Sequence, residues 1–293
     1  ITAQPLLNYL VALSFRRGRL KFSVGTNLNA VYADLIKAIY ERGWAEHQHT
    51  AIQGIKEEDF ARILEEIALA AWHGNGRTTT VQAIEDHCGT SNLKKLLDRF
   101  ELGYHQDSRT GITRLMIAFY FRQSEHHSSD EKAFEFSHKS FGEYLVARRI
   151  VQEVNYVHKK LTHRHISDLD GWDERCSLHR WAVVCGASAI DEYLLSFIFD
   201  ELRLVFQRHS SEVAAWQQTL CHLISYILLH GMPMERLYPR PDFQNEDEQA
   251  RNAEGALLAV LNSCARLVNK PSRIIEPTEG ALGAWISRLN KQR

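Results

Sequence analysis

Three features of the sequence predict a mainly α-helical chain. Apolar residues recur at i, i+3 and i+4 along most of its length, the spacing of helices that bury one face. Strand-like patterning is confined to two short segments: Ile112–Phe121, rich in Ile, Met, Phe and Tyr, and Ala133–Phe136. Between Phe134 and Ala147 the period lengthens from that of a strand to that of a helix. Phe134 and Phe136 lie two apart, then Phe141, Tyr144 and Leu145 share one helical face.

The first predicted helix, Pro5–Phe15, begins at a proline, whose missing N–H costs nothing in a first turn. Leu6, Leu7, Leu10, Val11 and Leu13 make it apolar on nearly every side, so other protein must cover it. After a basic, glycine-containing turn at Arg16–Gly25 comes a stripe of Leu28, Val31, Leu35, Ile36 and Ile39, with Asn27 as cap and Gly43 near the stop. In the next helix Glu57, Glu58 and Asp59 stand where the positive dipole end favours them, ahead of Phe60, Ile63, Leu64, Ile67 and Ala71; it ends near Gly74. Thr78–Thr80 offer caps for a short helix through Val81, Ile84 and Cys88, which Gly89 separates from a second, Leu93–Phe100. Helix, tight turn, helix, two strands and a helix is the order of a winged helix with a small β-hairpin wing, whose polar tip would be Gln123–Lys132.

Beyond Ala147 the helix continues through Val151 and Val154. It gathers Arg148, Arg149, Lys159, Lys160 and Arg164 with His163 and His165, a run that forms a solvated face or meets an anionic partner. From Asp168 onward the chain reads as an α-helical bundle or short helical array. Trp181, Val184, Cys185 and Ala189 line one helix; Tyr193, Leu194, Phe197, Ile198, Leu202 and Phe206 line a second; Trp216, Leu220, Leu223, Ile224, Ile227 and Leu228 line a third. Breaks at Met232-Pro233 and Pro239–Asp242 precede a fourth, Glu246–Val268, and Pro277 opens the last, through Leu282, Trp285, Ile286 and Leu289.

A chain of 293 residues exceeds the usual single domain, so two or three structural units are expected. The formal net charge of −1 argues against a broad polyelectrolyte surface. Cys88, Cys176, Cys185, Cys221 and Cys264 are an odd number without a C-x-x-C pair, which suits reduced thiols in a cytoplasmic protein. The pairs His126-His127 and His163/His165 have no third and fourth ligands at zinc-site spacing, so no metal is expected. No apolar run reaches the roughly 20 residues that span a bilayer, and no charged-then-apolar leader opens the chain, so a cytoplasmic protein without a membrane partner is expected. An apolar helical pattern starts within five residues of Ile1, so the chain is expected to be a piece of something longer.

No phosphate loop of the G-x-x-x-x-G-K-[ST] kind, no G-x-G-x-x-G, no H-E-x-x-H and no G-x-S-x-G occurs, and the chain is not expected to catalyse by itself. The candidate recognition helix sets Lys94, Lys95 and Arg99 against Asp98 and Glu101, and the helix before it carries Glu85 and Asp86. Nucleic acid is therefore not the expected partner, although a DNA-binding winged-helix regulator with a helical partner-binding domain is the alternative reading. A helical scaffold for protein partners is a third. The strand-to-helix junction remains. Ser137 can cap the helix there, and His138 follows in its first turn, where unpaired amides and the dipole attract an anion. A His in that place also serves as an ordinary hydrogen-bonded structural residue. Glu143 nearby reads as a structural polar partner, not an acid or base.

Phe136, His138, Ser140, Phe141, Glu143, Tyr144 and Ala147 spell F-x-H-x-S-F-x-E-Y-x-x-A, which resembles the signature that closes the winged-helix domain of NACHT-type STAND NTPases. Pro5-Leu6-Leu7, followed by Tyr9, resembles the P-L-L helix of the first helical domain in that family. The resemblance covers roughly residues 1–160. It implies the end of a first helical domain at 1–26, a winged-helix domain at 27–162 and a second helical domain at 163–293. It implies a regulatory portion of a signal-transduction ATPase of the immune or antiphage-defence kind, with the phosphate loop N-terminal to this stretch. His138 would then meet a phosphate of ADP, and Pro5, Leu6 and Tyr9 the adenine. These are half of a site, so ADP or ATP is expected only together with the N-terminal NACHT ATPase domain, and none in isolation. The implied partners are that domain, further copies of the protein on activation, and an unknown sensor or effector.

Overall fold

A computed structural model describes residues 27–44, 56–74, 78–90, 121–124, 133–136, 139–163, 171–235 and 241–290, with positions 12, 15, 16 and 237 besides. The described chain is mainly helical, as the patterning predicts. It divides into two units, Ile1–Val146 and Ala147–Arg293, and the division falls within a helix. Residues expected in one domain at 27–162 therefore contribute to both units.

In the first unit, α1 (Leu28–Trp44) starts on Asn27, whose Oδ1 accepts the Asn29 N–H at 2.8 Å. Its stripe buries Val31, Leu35 and Ile36 together with Tyr32. α2 (Glu57–His73) carries its three carboxylates in the first turn and buries Phe60, Ile63, Leu64, Ile67 and Ala71, as the periodicity requires. β1 (Thr78–Thr80) and α3 (Val81–Thr90) follow. β2 (Phe121–Ser124) and β3 (Ala133–Phe136) lead into α4 (Lys139–Thr162). The three strands form an antiparallel sheet in the order β1-β3-β2, with Thr79 opposite Phe134 and Arg122 opposite Glu135.

Two expectations change here. Thr78–Thr80 are a strand as well as a cap: Thr80 Oγ1 accepts the Ala83 N–H at 3.1 Å while all three threonines pair with β3. Three β-branched residues suit an extended backbone, but only the distant partner makes them a strand. Gln123 and Ser124, expected in a polar tip, belong to β2 and pair with Phe134 and Ala133. The expected helix Leu93–Phe100 and strand residues 112–120 lie outside the described residues.

The second unit takes in α4 from Ala147 onward, then α5 (Glu174–Cys185), α6 (Glu192–Arg208), α7 (Ser210–His230), α8 (Phe243–Val268) and α9 (Ala281–Asn290). α8 packs against α5, α6 and α7, and α9 against α7 and α8. The core is built from Leu178 and Trp181, Ile198 and Leu202, Leu220 and Ile224, and Leu257 and Val260, all at most 2% exposed. Trp181, buried entire, satisfies its indole N–H on the Ala253 carbonyl at 2.9 Å. α5 stops at Cys185, which leaves Ala189 exposed in the following loop instead of on the helix face. Tyr193, expected to line α6, is 61% exposed. The last helix begins at Ala281, not Pro277: Gly280 at φ 83° interrupts the turn, and Glu276 reaches over it to accept the Leu282 N–H at 3.1 Å. Among the described residues no helix is long and apolar enough to cross a membrane.

Candidate functional site

The β3-to-α4 junction is set by packing that begins with an aromatic cluster. Phe136 at the end of β3 is 7% exposed and meets Phe141 edge-on, with ring centroids 6.1 Å apart. Phe141 in turn lies 5.7 Å from the ring of Tyr32 on α1, and Tyr144 stacks on Tyr32 at 5.4 Å. Gly142 fits between them because a Cβ there would stand 3.1 Å from the Phe136 ring. A larger residue at that position would require the Phe136 ring to give by a few tenths of an ångström.

Polar groups complete this clasp. The Tyr32 hydroxyl is buried and shares a hydrogen bond of 2.7 Å with Ser140 Oγ. Burial raises the phenol above its ordinary pKa; the Ser140 bond opposes the shift and the Glu143 charge adds to it. Glu143 itself forms an ion pair with Lys139 one turn back, at 3.0 Å. Ala147, the last residue of the motif, is fully buried. Of the described motif residues, Phe141, Tyr144 and Ser140 meet Tyr32 of α1, Phe136 packs on Phe141, and Glu143 pairs within α4.

His138 and Ser137 lie outside the described residues, as do Pro5, Leu6 and Tyr9. On either side, Phe136 packs on Phe141 and Lys139 pairs with Glu143. Tyr32 was not singled out in the sequence as a partner of the motif. A tyrosine beside an apolar stripe is a signal, because a buried phenol needs a hydrogen-bond partner.

The basic run along α4 differs from its expectation. Arg149 is 3% exposed, not solvated, and donates from Nη1 to Glu153 Oε2 at 2.6 Å. Glu153 is itself 1% exposed and accepts a second guanidinium, that of Arg180 on α5, whose Nη2 lies 3.2 Å from Oε2. Arg180 also covers the ring of Tyr156 at 4.3 Å. This is one buried carboxylate shared by two arginines, and it joins α4 to α5. Lys159 remains exposed, and His163 Nδ1 bonds the Lys159 carbonyl at 3.0 Å.

No group of three or more His, Cys, Asp or Glu among the described residues is arranged to hold a metal. Cys185, Cys221 and Cys264 are free and buried, and burial pushes the Cys264 thiol up to about 12. Of the candidate recognition surface, Lys94, Lys95, Asp98, Arg99 and Glu101 lie outside the described residues; Asp86 is exposed and accepts the Gln82 amide at 2.9 Å. His126, His127, Arg164 and His165 also lie outside them. No family model, no curated protein and no solved structure matches this chain.

Proposed function

We propose that this chain is the regulatory, nucleotide-state-sensing portion of a NACHT-type STAND ATPase. In this reading it does no catalysis by itself and biases a closed, ADP-bound state against an open, oligomerising one. Residues 27–162 are the winged-helix domain, with β2 and β3 as the wing, and residues 163–293 are the second helical domain. The observation that carries the reading is the motif from Phe136 to Ala147. Its spacing falls on a strand that ends at Phe136 and a helix that begins at Lys139, with His138 between them.

The physical logic is that of a differential contact. A helix start offers unpaired N–H groups and positive partial charge, and an imidazole beside it gains a charge-assisted bond only when a phosphate is docked. Such a bond is worth about 1–3 kcal/mol, enough to shift a two-state equilibrium by roughly one to two powers of ten. The buried clasp of Tyr32, Ser140, Phe141 and Tyr144 supports this role, because a sensor must be held on rigid elements to report a small displacement. Pro5, Leu6 and Tyr9 are assigned to the adenine, and the phosphate loop to a domain N-terminal to this chain.

The test is made on the full-length protein that carries this chain. ADP retained through purification is released by heat and counted per chain, for the parent and for His138→Ala. The substitution is expected to lower ADP retention about tenfold or more and to raise self-association. Unchanged ADP content would remove His138 from the site. Salt-sensitive duplex binding with no nucleotide effect would favour the DNA-binding alternative.

A further inference from the structure

Where α8 ends, the chain turns back and is tied along α7. Asn269, at φ 53°, makes the turn. Gln217 of α7, itself 6% exposed, then donates from Nε2 to the Lys270 carbonyl and to Ser272 Oγ, both at 3.0 Å. Further along the helix, Ser225 Oγ accepts the Ile275 N–H at 2.8 Å. From Gln217 to Ser225 is about 12 Å of helix, so residues 270–275 form a strap pinned at both ends.

Between the strap and α7 lies a cleft of about 390 Å³, within the roughly 300–1,000 Å³ of small-molecule pockets. Ala214 and Cys221 of α7, with Val268 and Ile275, give it apolar walls. Ile275 is 72% exposed, so the strap displays this side chain instead of burying it. Lys270 and Arg273 line the same cleft; among the described residues neither forms an ion pair, and no carboxylate belongs to the lining. The carboxylates nearby are engaged: Glu174 is bonded at 2.9 Å by His222, which lines the cleft, and Glu276 accepts the Leu282 N–H at 3.1 Å. With Glu174 counted in, positive charge is still in excess. Because the strap is pinned on both sides of them, the two cations are set at the cleft before any ligand arrives, which lowers the cost of binding.

We infer that this cleft binds a small organic anion, whose carboxylate, phosphate or sulfonate head meets Lys270 and Arg273 and whose compact apolar body lies against Ile275 and the α7 wall. The guanidinium offers such a head paired donors and the ammonium a point charge. A neutral molecule of the same shape lacks that contact, and a cationic one is repelled. The site uses none of the residues assigned to nucleotide sensing and stands whether or not that reading does.

The test uses the 293-residue chain and a pair of dyes that share one aromatic body, anilinonaphthalene sulfonate and the neutral phenylnaphthylamine. By fluorescence titration the sulfonate is expected to bind with a Kd of about 10–100 μM and to weaken with salt, and the neutral dye to bind at least about tenfold more weakly. The double variant Lys270→Ala/Arg273→Ala is expected to weaken the sulfonate at least about tenfold and to leave the neutral dye unchanged, with the circular dichroism spectrum and thermal midpoint retained. Arg266→Ala removes a cation that lies over Phe199, outside the cleft, and is expected to change neither dye. Octanoate and octyl phosphate, used as competitors, separate a carboxylate from a phosphate head, and displacement of the dye by either supports the site. Equal affinity for the two dyes, a double variant that binds the sulfonate as the parent does, or a loss of the same size in Arg266→Ala overturns the inference. Displacement by octanol as effective as by the better of the two anions also overturns it.

Discussion

The Glu153 carboxylate holds more of the second unit together than its sequence position suggests. It is enclosed with Arg149, while Arg180 reaches it from a position with a side chain that is 32% exposed. Removing the shared acceptor takes the 2.6 Å ion pair from the buried Arg149 guanidinium, whereas removing Arg180 leaves Glu153 still paired and the site open to water. Glu153→Ala is therefore expected to cost about 3–5 kcal/mol and Arg180→Ala about 1–2 kcal/mol, both read from urea midpoints. Equal losses would mean that the carboxylate is not desolvated by the fold. Little of this was legible beforehand: Arg149 and Glu153 are i, i+4 on a helix, a spacing that exposed surfaces use as freely as buried ones. At the β3–α4 junction, by contrast, the motif residues Phe136, Phe141 and Tyr144 sit in the core that their spacing predicts.

At the scale of elements, three helices of the second unit, α5, α6 and α8, start on aspartates. Asp173, Asp191 and Asp242 accept the N–H groups of Cys176 at 2.7 Å, Leu194 at 2.8 Å and Asn245 at 2.9 Å. Each side chain satisfies one of the orphan donors of a first turn and places negative charge on the positive dipole end. Asp191→Ala is expected to cost about 1 kcal/mol, with Asp191→Ser recovering most of it, as measured by thermal unfolding. If alanine and serine were equally destabilising, the capping bond would not be the cause. The caps that preceded an obvious apolar stripe, such as Asn27 before α1, could be read from the sequence. The ends could not: α5 stops at Gly186, whose N–H closes on the Ala182 carbonyl at 2.8 Å and where a Cβ would lie 3.2 Å from the Gln249 carbonyl. A Cβ there would meet the Ala182 carbonyl of α5 itself still more closely, at 2.5 Å; only the Gln249 contact comes from α8, some sixty positions away.

For the whole molecule, two titratable groups of the second unit, one half-buried and one buried, give stability opposite dependences on pH. His158 shares a hydrogen bond of 2.7 Å with Thr219, and burial lowers its pKa, aided by His163 and Lys159 and opposed by Glu212. The unfolded chain then takes up a proton that the folded one refuses, so this contribution is present above the ordinary histidine pKa, about 6.5, and is lost as pH falls below it. Glu254 behaves in reverse: burial raises its pKa against the pull of Arg288 and Trp285, so the folded state keeps the proton longer and gains as pH drops through the range just above that of ordinary carboxylates. Urea titrations from pH 7 down toward 5.5 are expected to show falling stability in the parent and a flatter curve in His158→Gln, which keeps a partner for Thr219. Identical curves would mean that His158 is not held neutral. By itself the sequence determined the helical class, the faces that α1, α2 and α7 bury, the placement of β3, and the motif across the junction, because periodicity and capping act within a few residues of one another. The tertiary structure alone decided that three threonines form an edge strand, that Arg149 is buried, that Tyr32 answers Ser140, and that Glu254 of α8 gathers Trp285 and Arg288 of α9. Each of those depends on a partner far along the chain, and a one-dimensional pattern carries no information about which distant group arrives.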